Sequence, residues 1–434
     1  MERFEAEGVR EMKSISKNAL LPALLAAALV AGPGAARAAV LVQCPDDTNG
    51  NGIPPTDLGG NLLDPGDVDA PFVKCLHLSA GDGWITMADG RELYIFGFSD
   101  VSALAPESVL DQGFFRANSP APTIRVREDD EFFLTLTNVG THNRPDLFDP
   151  HTVHYHGFPN ASAIFDGLPE SALSINQQAS LTYYYKNVEP GTYMWHCHVE
   201  ATEHMQMGML GNLYVEPKQN RTGCVGTGFS CDVAQKEGGS GPLGYVYNDG
   251  DGSTAFDAEY ELQLQAFYHV FHDASRDVQP LPFAEMIDTY FTINGRNYPD
   301  TALPPGQHPP IPADSSANPP QPVNSLIQAD VGDRVLLRLS NLGIVQHYTL
   351  TVLGIPMQVV GRGARLLRGP GQAAGQNAFY QTNVVNLGGG ESVDIILETS
   401  GVAPGRYFLY ATNLNALSNN DEDYGGYMTE IVLQ

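Results

Sequence analysis

The sequence contains an internal repeat, and this repeat limits the folds open to the chain more than any other feature. PTIRVREDDEFFLTLTNVG, residues 122–140, is similar to SLIQADVGDRVLLRLSNLG, residues 325–343, in its acidic turn, alternating strand and closing loop. EPGTYMWHCH has a counterpart in APGRYFLYATN, and MGMLGNLYVEP has one in YGGYMTEIVLQ. Short strands that recur in the same order predict two related β-sandwich domains.

Composition agrees with an all-β chain. The 434 residues include 45 glycines and 31 prolines, and short β-branched and aromatic runs are separated by turn signals. The formal net charge of -27 argues against nucleic acid or an anionic membrane surface as a partner. We expect domains at residues 39–218 and 256–434, joined by a glycine-rich linker at 219–255. The proline-rich segment LPPGQHPPIPADSSANPPQP predicts an exposed loop.

The N-terminus has the pattern of a cleavable signal peptide. MKSISKNALLPALLAAALVAGPGAARA begins at Met12 with a basic segment, continues through an apolar core around Leu20 to Val30, and ends in an A-x-A sequence. We therefore expect translation from Met12 and removal of residues 1–38. No later stretch approaches the roughly 18 apolar residues that a membrane span requires. The sequence predicts a periplasmic or secreted protein.

The cysteine count isolates one thiol. Five cysteines in an oxidising compartment suggest two disulfides and one free residue. Cys224 with Cys231 and Cys44 with Cys75 are the pairs that we favour, although the sequence does not fix the connectivity. Cys197 then remains free, with a histidine on each side. A metal-binding thiolate explains this context better than an apolar core residue does.

Two histidine-rich segments, HTVHYHG and MWHCHVEATEHMQMGM, predict a pair of metal sites. Side chains two residues apart in a strand share a face, whereas adjacent side chains point to opposite faces. If the two strands lie near each other in one sheet, His151 and Cys197 meet on one face. The other face then collects the imidazoles of His154, His156, His196 and His198. The two sites would be joined through the backbone of Cys197.

The first of these sites has the ligand set of a blue-copper centre. Cys197, His151 and His204 provide two imidazoles and a thiolate, and Met209 is our choice for the weak axial ligand. The second site offers only imidazoles, which also suit copper. Copper is therefore the metal that both ligand sets predict.

These motifs resemble the copper-ligand signatures of the multicopper oxidases, the family of laccases, which are built from cupredoxin domains. The resemblance implies a type 1 copper at His151, Cys197, His204 and Met209. It implies type 2/type 3 cluster positions at His154, His156, His196 and His198. Asp166, in FDGLPE, resembles the acidic residue that the family places near the cluster for proton delivery, and a simple turn aspartate is the alternative. Cys197 to His204 is two residues longer than the usual spacing, so we expect this loop to bulge.

The second repeat lacks most of these residues. HTVHYHG corresponds to QHYTLTVLG, which keeps His347 but has Leu350 and Val352 where the next two histidines would be. Ala411 stands where the cysteine would be. A complete trinuclear cluster in this family needs four H-x-H pairs from two domains, and this chain has two. The sequence therefore does not predict the complete cluster that reduces dioxygen to water in this family.

Three functions remain open. One is an enzyme similar to the two-domain copper nitrite reductases, which are trimers, with a neighbouring subunit closing the second site and His347 as the candidate ligand. His269 and His272 are weaker candidates, for which a surface or supporting role is the better interpretation. Another is a non-catalytic electron-transfer or copper-binding protein.

The function that we favour is a copper-dependent oxidoreductase of the multicopper oxidase type. It takes single electrons from a small reductant or an electron-donor protein at type 1 copper and passes them through Cys197 to the second copper site. Dioxygen or nitrite would be the acceptor. By analogy with the family, we expect a homotrimer.

Overall fold

The structure is a computed structural model that describes residues 42–44, 73–159, 161–316, 319–369 and 376–434. The predicted signal peptide at 1–38 lies outside these residues. Within the described ranges, no helix is long and apolar enough to cross a membrane. Strands dominate the described chain, which confirms the predicted all-β class.

Two β-sandwiches follow each other along the chain. The first sandwich is built from β1 Val73–Thr86, β2 Glu92–Asp100, β3 Ala121–Arg127, β4 Glu131–Gly140, β5 His154–His156, β6 Ser180–Lys186, β7 Gly191–His196 and β8 Leu210–Glu216. Its helices are α1 Val109–Gln112 and α2 Ala201–Met207. The second sandwich is built from β11 Ala258–Phe267, β12 Tyr290–Ile293, β13 Ile327–Ala329, β14 Arg334–Asn341, β15 Tyr348–Val352, β16 Met357–Arg362, β17 Arg365–Leu366, β18 Tyr380–Thr382, β19 Val384–Leu387, β20 Glu391–Glu398, β21 Gly405–Ala411 and β22 Met428–Leu433. Between them lie α3 Gln219–Thr222, β9 Gly244–Tyr245 and β10 Ala255–Phe256, and α4 His269–Arg276 follows β11.

The sheet topology repeats between the two sandwiches. One sheet of the first sandwich has the order β2-β1-β4-β6, with β1 parallel to β4 and β4 antiparallel to β6. In the second sandwich β11 is parallel to β14, and β14 is antiparallel to β20. The order β3-β8-β7-β5 in the other sheet corresponds to β13-β22-β21-β15. The repeat read from the sequence is therefore confirmed as two related sandwiches.

Alternating apolar side chains build both cores. Phe132, Leu134 and Leu136 on β4 are fully buried, and so are Val335, Leu337 and Leu339 on β14. Residues two apart in a strand share a face, so this spacing turns one face of each strand into the core. Burying such a side chain contributes roughly 1.5–3 kcal/mol, so several buried side chains together hold each strand in the core of its sandwich.

The segment 219–255 folds against the second sandwich. Val246 and Tyr247 of this segment, with Phe256 directly after it, pack with Leu336 and Ile396 in one buried cluster. The glycine-rich stretch interpreted as a linker is therefore an ordered connection in the structure. Apolar residues spaced between its glycines provide the contacts.

The proline-rich segment is exposed at 304–308, but the part that follows this stretch is bonded to the first sandwich. The hydroxyl of Thr86 donates to Pro310 O at 2.7 Å, and Ser119 N–H donates to Pro320 O at 3.0 Å. Proline carbonyls remain available as acceptors although the residue has no N–H, so a proline-rich chain can still be fixed by hydrogen bonds.

The two favoured disulfides are both present. Cys44 is bonded to Cys75, and Cys224 is bonded to Cys231. Cys197 is the free cysteine of the described residues, and it is buried. The two predicted disulfides and the predicted free cysteine are thus confirmed.

Candidate metal centres

The first cluster lies where β7 ends. His151, Cys197 and His204 bring one ligand atom each within 4.8 Å of the others. Cys197 Sγ is 3.8 Å from His151 Nδ1 and 3.2 Å from His204 Nδ1. All three side chains are buried. The structure therefore brings together the three strong ligands that the sequence assigned to the first site.

Separate pieces of backbone hold these side chains in place. His151 forms an isolated β-bridge with Ile175, and Cys197 comes directly after β7. The Cys197 N–H donates to the carbonyl of Met209 at 3.1 Å. Cys197 and Met209 also belong to the same buried apolar cluster, in which both are fully buried. The backbone of Met209 is thus fixed beside that of Cys197, and its axial role stays a prediction.

Helix α2 accommodates the longer interval between Cys197 and His204. Glu200, with φ of 44°, turns the chain into the helix, and Gly208, with φ of 116°, ends it. The Gly208 N–H donates to His204 O at 3.1 Å, which is a common way to satisfy the last carbonyls of a helix. The sequence predicted a bulged loop here, and the structure corrects this to a short helix that carries His204.

The first cluster leaves an imidazole nitrogen without a partner. His204 Nε2 is buried and accepts or donates no hydrogen bond within the described residues, and the closest carboxylate oxygen, Asp149 Oδ2, lies 3.8 Å away. Burial opposes the charged form of His204, but Cys197 and Asp149 together raise its pKa to about 10. Cysteine binds metals through its sulfur, and Cys197 Sγ lies 3.2 Å from His204 Nδ1. The donor set therefore fits a metal ion.

The second cluster lies on the opposite face of β7. His154 on β5 pairs with His196 on β7, and these two imidazoles lie with His156 so that one nitrogen of each falls within 4.8 Å of the others. His198 completes the group, with its ring centroid 5.0 Å from that of His154. The alternation predicted from the sequence places all four imidazoles on this face.

The imidazoles of this cluster are in the neutral form that can bind a cation. Burial lowers the pKa of His196 to about 3, and it also lowers the pKa values of His154 and His156. Near neutral pH these rings are therefore uncharged, and each has a free lone pair. His154 Nδ1 donates to Asp166 O at 2.6 Å, and His196 Nδ1 donates to Cys197 O at 2.8 Å. In both rings the proton on Nδ1 leaves Nε2 as the ligand atom.

A cavity of about 440 Å³ opens at the second cluster, and both sandwiches line it. The second sandwich contributes His347 from the loop before β15, and Gly389 and Gly390 from the loop before β20. His347 is exposed at the rim. The second sandwich of the same chain thus forms one wall of this cavity. The nitrite-reductase hypothesis had assigned this wall to a neighbouring subunit.

Two family models, both described as multicopper oxidase, match residues 112–220 and 260–432, which together exceed half of the chain. The chain belongs to the multicopper oxidase family. This multicopper oxidase is 32% identical to the copper-containing nitrite reductase of Neisseria meningitidis over 106 residues, which are 24% of the chain and 25% of that protein. It is also 30% identical to Laccase 1 of Metarhizium guizhouense over 106 residues. These residues are 24% of the chain and 16% of that protein. The match thus spans a quarter or less of the length of these curated relatives.

The fold is shared by a solved structure. The blue copper oxidase from Nitrosomonas europaea superposes with a TM-score of 0.57 at 22% identity, over 83% of this multicopper oxidase and 86% of that chain. The family models confirm the resemblance drawn from the histidine and cysteine motifs, and the structural match confirms the cupredoxin-like fold. Copper is the cofactor of the family, and the two clusters offer the thiolate and imidazole donors that copper prefers.

Asp166 of this multicopper oxidase lies directly beside the second cluster. Its carbonyl accepts from His154, and its Oδ1 is 3.4 Å from the same Nδ1. Gly167 makes this approach feasible, because a Cβ at this position would lie 2.2 Å from Val153 O. The structure therefore brings the predicted acidic residue into contact with a candidate ligand.

The second sandwich of this multicopper oxidase has an apolar core where the first has its histidines. Leu350 on β15 pairs with Ala411 on β21, and both are fully buried. Val352 is buried as well. The missing ligands noted in the repeat are thus replaced by packing, and His347 is left at the cavity rim.

Sequence reasoning missed Asp149 and the loop 388–390. Asp149 could have been found from the sequence, because it is an acidic residue only two positions before His151. The run of three glycines before β20 was a weaker signal, because glycine runs are common in turns. Only the packing of the two sandwiches brings that loop to His156.

Proposed function

We propose that this protein is an exported copper-dependent oxidoreductase with a type 1 site and a second, all-imidazole copper site. One observation supports the proposal: Cys197 lies in the first cluster, while its two sequence neighbours, His196 and His198, lie in the second. Three consecutive residues therefore join the two sites covalently. A carrier that only stores copper would not need this connection.

The first site would be formed by His151, Cys197 and His204, with Met209 as the weak axial ligand. The distances from Cys197 Sγ to the two imidazoles, 3.8 Å and 3.2 Å, support this set. The apolar cluster around Cys197 excludes water from the thiolate. Such a buried environment helps to set the reduction potential of a blue-copper site.

The second site would be formed by His154, His156 and His196, with His198 beside them. Copper, when bound, supplies one-electron redox chemistry at both sites. The cavity over this cluster gives a small acceptor a place to bind next to the imidazoles. We propose that a small reductant or an electron-donor protein provides the electrons and that dioxygen or nitrite accepts them.

Asp166 would deliver protons at the second site. Its carboxylate borders His154 and is itself partly exposed, so it can exchange protons with solvent. Its backbone carbonyl has a separate role, since it fixes the orientation of His154. The two functions can therefore be separated by changing the side chain alone.

A nitrite reductase is the second candidate function. The name of the Neisseria relative is consistent with it, and the chain provides one four-imidazole face instead of a full trinuclear set. In that case His347, at the rim of the cavity, would be an additional contact from the second sandwich. A trimer, an export signal at 1–38 and a periplasmic or secreted location belong to the same proposal, and the two disulfides support the location.

The experiment that tests the proposal is a copper count on the purified protein together with optical and EPR spectra. We expect at least two coppers per chain, with a type 2 signal beside an intense blue band. Cys197→Ser should remove the blue band and keep the second signal, and His154→Ala should do the reverse. One copper per chain with only a type 1 signal would contradict the oxidoreductase and leave an electron carrier.

A further inference from the structure

Helix α4 of the second sandwich covers the free edge of β2 in the first sandwich. β2 is the outermost strand of its sheet, so one row of its backbone groups has no strand partner. His272, in α4, is fully buried and donates from Nδ1 to Tyr94 O on β2 at 2.7 Å. This imidazole takes no part in either copper cluster, and the proposed mechanism does not use it.

The edge of β2 also borders the first copper cluster. Outward carbonyls recur at every second residue of an edge strand, so those of Tyr94, Phe96 and Phe98 lie in one row. Phe98 O accepts from Asn118 N–H at 3.2 Å. Phe96 O, between them, faces Gly208, and a Cβ at Gly208 would lie 3.0 Å from this oxygen. His272 and Gly208 therefore contact neighbouring positions on the same edge.

Gly208 links two residues of the first site. It ends helix α2, which carries His204, and it directly precedes Met209. The ring of Phe96 packs edge-on against the imidazole of His204, with centroids 6.0 Å apart and planes at 81°. β2 thus contacts the loop from His204 to Met209 through both a carbonyl and a ring.

The other end of α4 reaches the same site by a second route. Arg144 donates to Ser275 O in the last turn of α4 and forms a two-bonded ion pair with Asp146. The loop that contains these residues continues to Asp149, whose Oδ2 lies 3.8 Å from His204 Nε2. A single helix of the second sandwich is therefore attached to both sides of His204.

We propose that His272 is a positioning residue for the type 1 ligand loop, so that the second sandwich controls how the first sandwich holds its copper. The proposal rests on the first site of the proposed function. His272 fixes the edge of β2, β2 fixes Phe96 against His204 and Gly208, and this contact sets the separation of His204 and Met209 from Cys197. The second sandwich then acts on copper without supplying a ligand to it.

The test compares three variants of the copper-loaded, full-length protein. His272→Phe keeps the ring volume and removes the donor to Tyr94 O, whereas His272→Asn retains a donor near the position of Nδ1. His269→Phe is the control, because His269 lies on the same helix and bonds to Thr289 of the second sandwich instead of to β2. The readouts are the blue absorption band, the midpoint potential and the rate of copper release to a chelator.

We expect His272→Phe to shift the band and the potential and to release type 1 copper about tenfold faster, as substitutions around metal ligands commonly do. His272→Asn should restore most of the wild-type values, and His269→Phe should leave them unchanged. Amide hydrogen exchange in the metal-free protein should show faster exchange in α2 for His272→Phe alone.

Several results would overturn the proposal. A folded His272→Phe protein with the wild-type band, potential and release rate would do so, and so would an equal effect of His269→Phe. If His272→Asn were as defective as His272→Phe, the hydrogen bond would not be the cause. A wild-type protein without a blue band would instead refute the type 1 assignment, and with it both proposals.

Discussion

Gly390 belongs to the second sandwich, yet it borders a candidate ligand of the first. A Cβ at this position would lie 2.7 Å from Nε2 of His156, the imidazole at the open side of the cluster. Real Cβ atoms do not approach other atoms this closely, so a side chain here would have to displace the ring. The absence of a side chain at Gly390 therefore leaves space for the imidazole of a candidate metal ligand.

Gly390→Ala is predicted to weaken copper binding at the second site about tenfold while the blue band persists. The added methyl group competes for the space of His156 Nε2 and does not reach the buried first cluster. Titration with copper, followed by the type 2 EPR signal, measures the effect.

Gly401→Ala is the matched control for that substitution. Gly401 has φ of 80°, close to the 84° of Gly390, and a Cβ there would meet no atom within 4 Å. Both variants carry the cost of a left-handed alanine, about 1–2 kcal/mol, but only one approaches His156. Equal loss of the EPR signal in both variants would show that backbone strain, and not the contact, is responsible.

At the scale of elements, a buried ionic network joins strands of the two sandwiches. Arg338 on β14 is paired with Glu259 on β11 at 2.5 Å and lies 3.6 Å from Asp394 on β20. It also donates to the hydroxyl of Thr192 on β7 at 2.9 Å, and Thr192 donates to Asp394. Despite burial, Arg338 lowers the pKa of Glu259 to about 2. The network holds β7, which ends at the candidate copper ligands, against the second sandwich.

Arg338→Met is predicted to destabilise the protein by about 3–5 kcal/mol, because Asp394 would remain buried without its cation and Glu259 would keep only its ion pair with Arg125. Arg365→Met is the matched control, since Arg365 also pairs across the two sandwiches, with Glu189, but both side chains are exposed by more than 40%. An exposed pair contributes about 1 kcal/mol or less. Urea unfolding of the metal-free proteins distinguishes the two, and equal losses would contradict the importance of burial.

The elements also show how far sequence reasoning reaches. The repeat predicted β4 and β14, because alternating apolar residues indicate a strand with one buried face in any sheet. The same alternation placed Cys197 and His196 on opposite faces. Helix α2 was not predicted, because its seven residues contain few helix signals. The clearest signal is Gly208, which directly follows the helix and permits the left-handed conformation that ends it. Contacts of His272 and Gly390 depend on how two sandwiches pack, and a single sequence contains no local signal for such distances.

For the whole molecule, buried histidines predict sensitivity to acid. Burial lowers the pKa of His77, on β1, to about 4, while its Nε2 lies 2.8 Å from Thr137 Oγ1. Burial also lowers the pKa values of His151 and His272, so several imidazoles are neutral in the folded state. The unfolded chain binds protons on these rings at about pH 6.5, before the folded chain does. Folding stability therefore decreases as the pH falls below that value.

His77 isolates one proton of this effect, because it lies away from both copper clusters. Its contribution is fully present above about pH 6.5, decreases as the pH falls, and is lost below about pH 4; the total is about 3 kcal/mol. In the metal-free protein, His77→Gln is predicted to reduce the slope of unfolding free energy against pH by one proton between these limits. The glutamine can still bond to Thr137, so stability at pH 8 should change little. An unchanged slope from urea unfolding at a series of pH values would mean that His77 is protonated equally in both states.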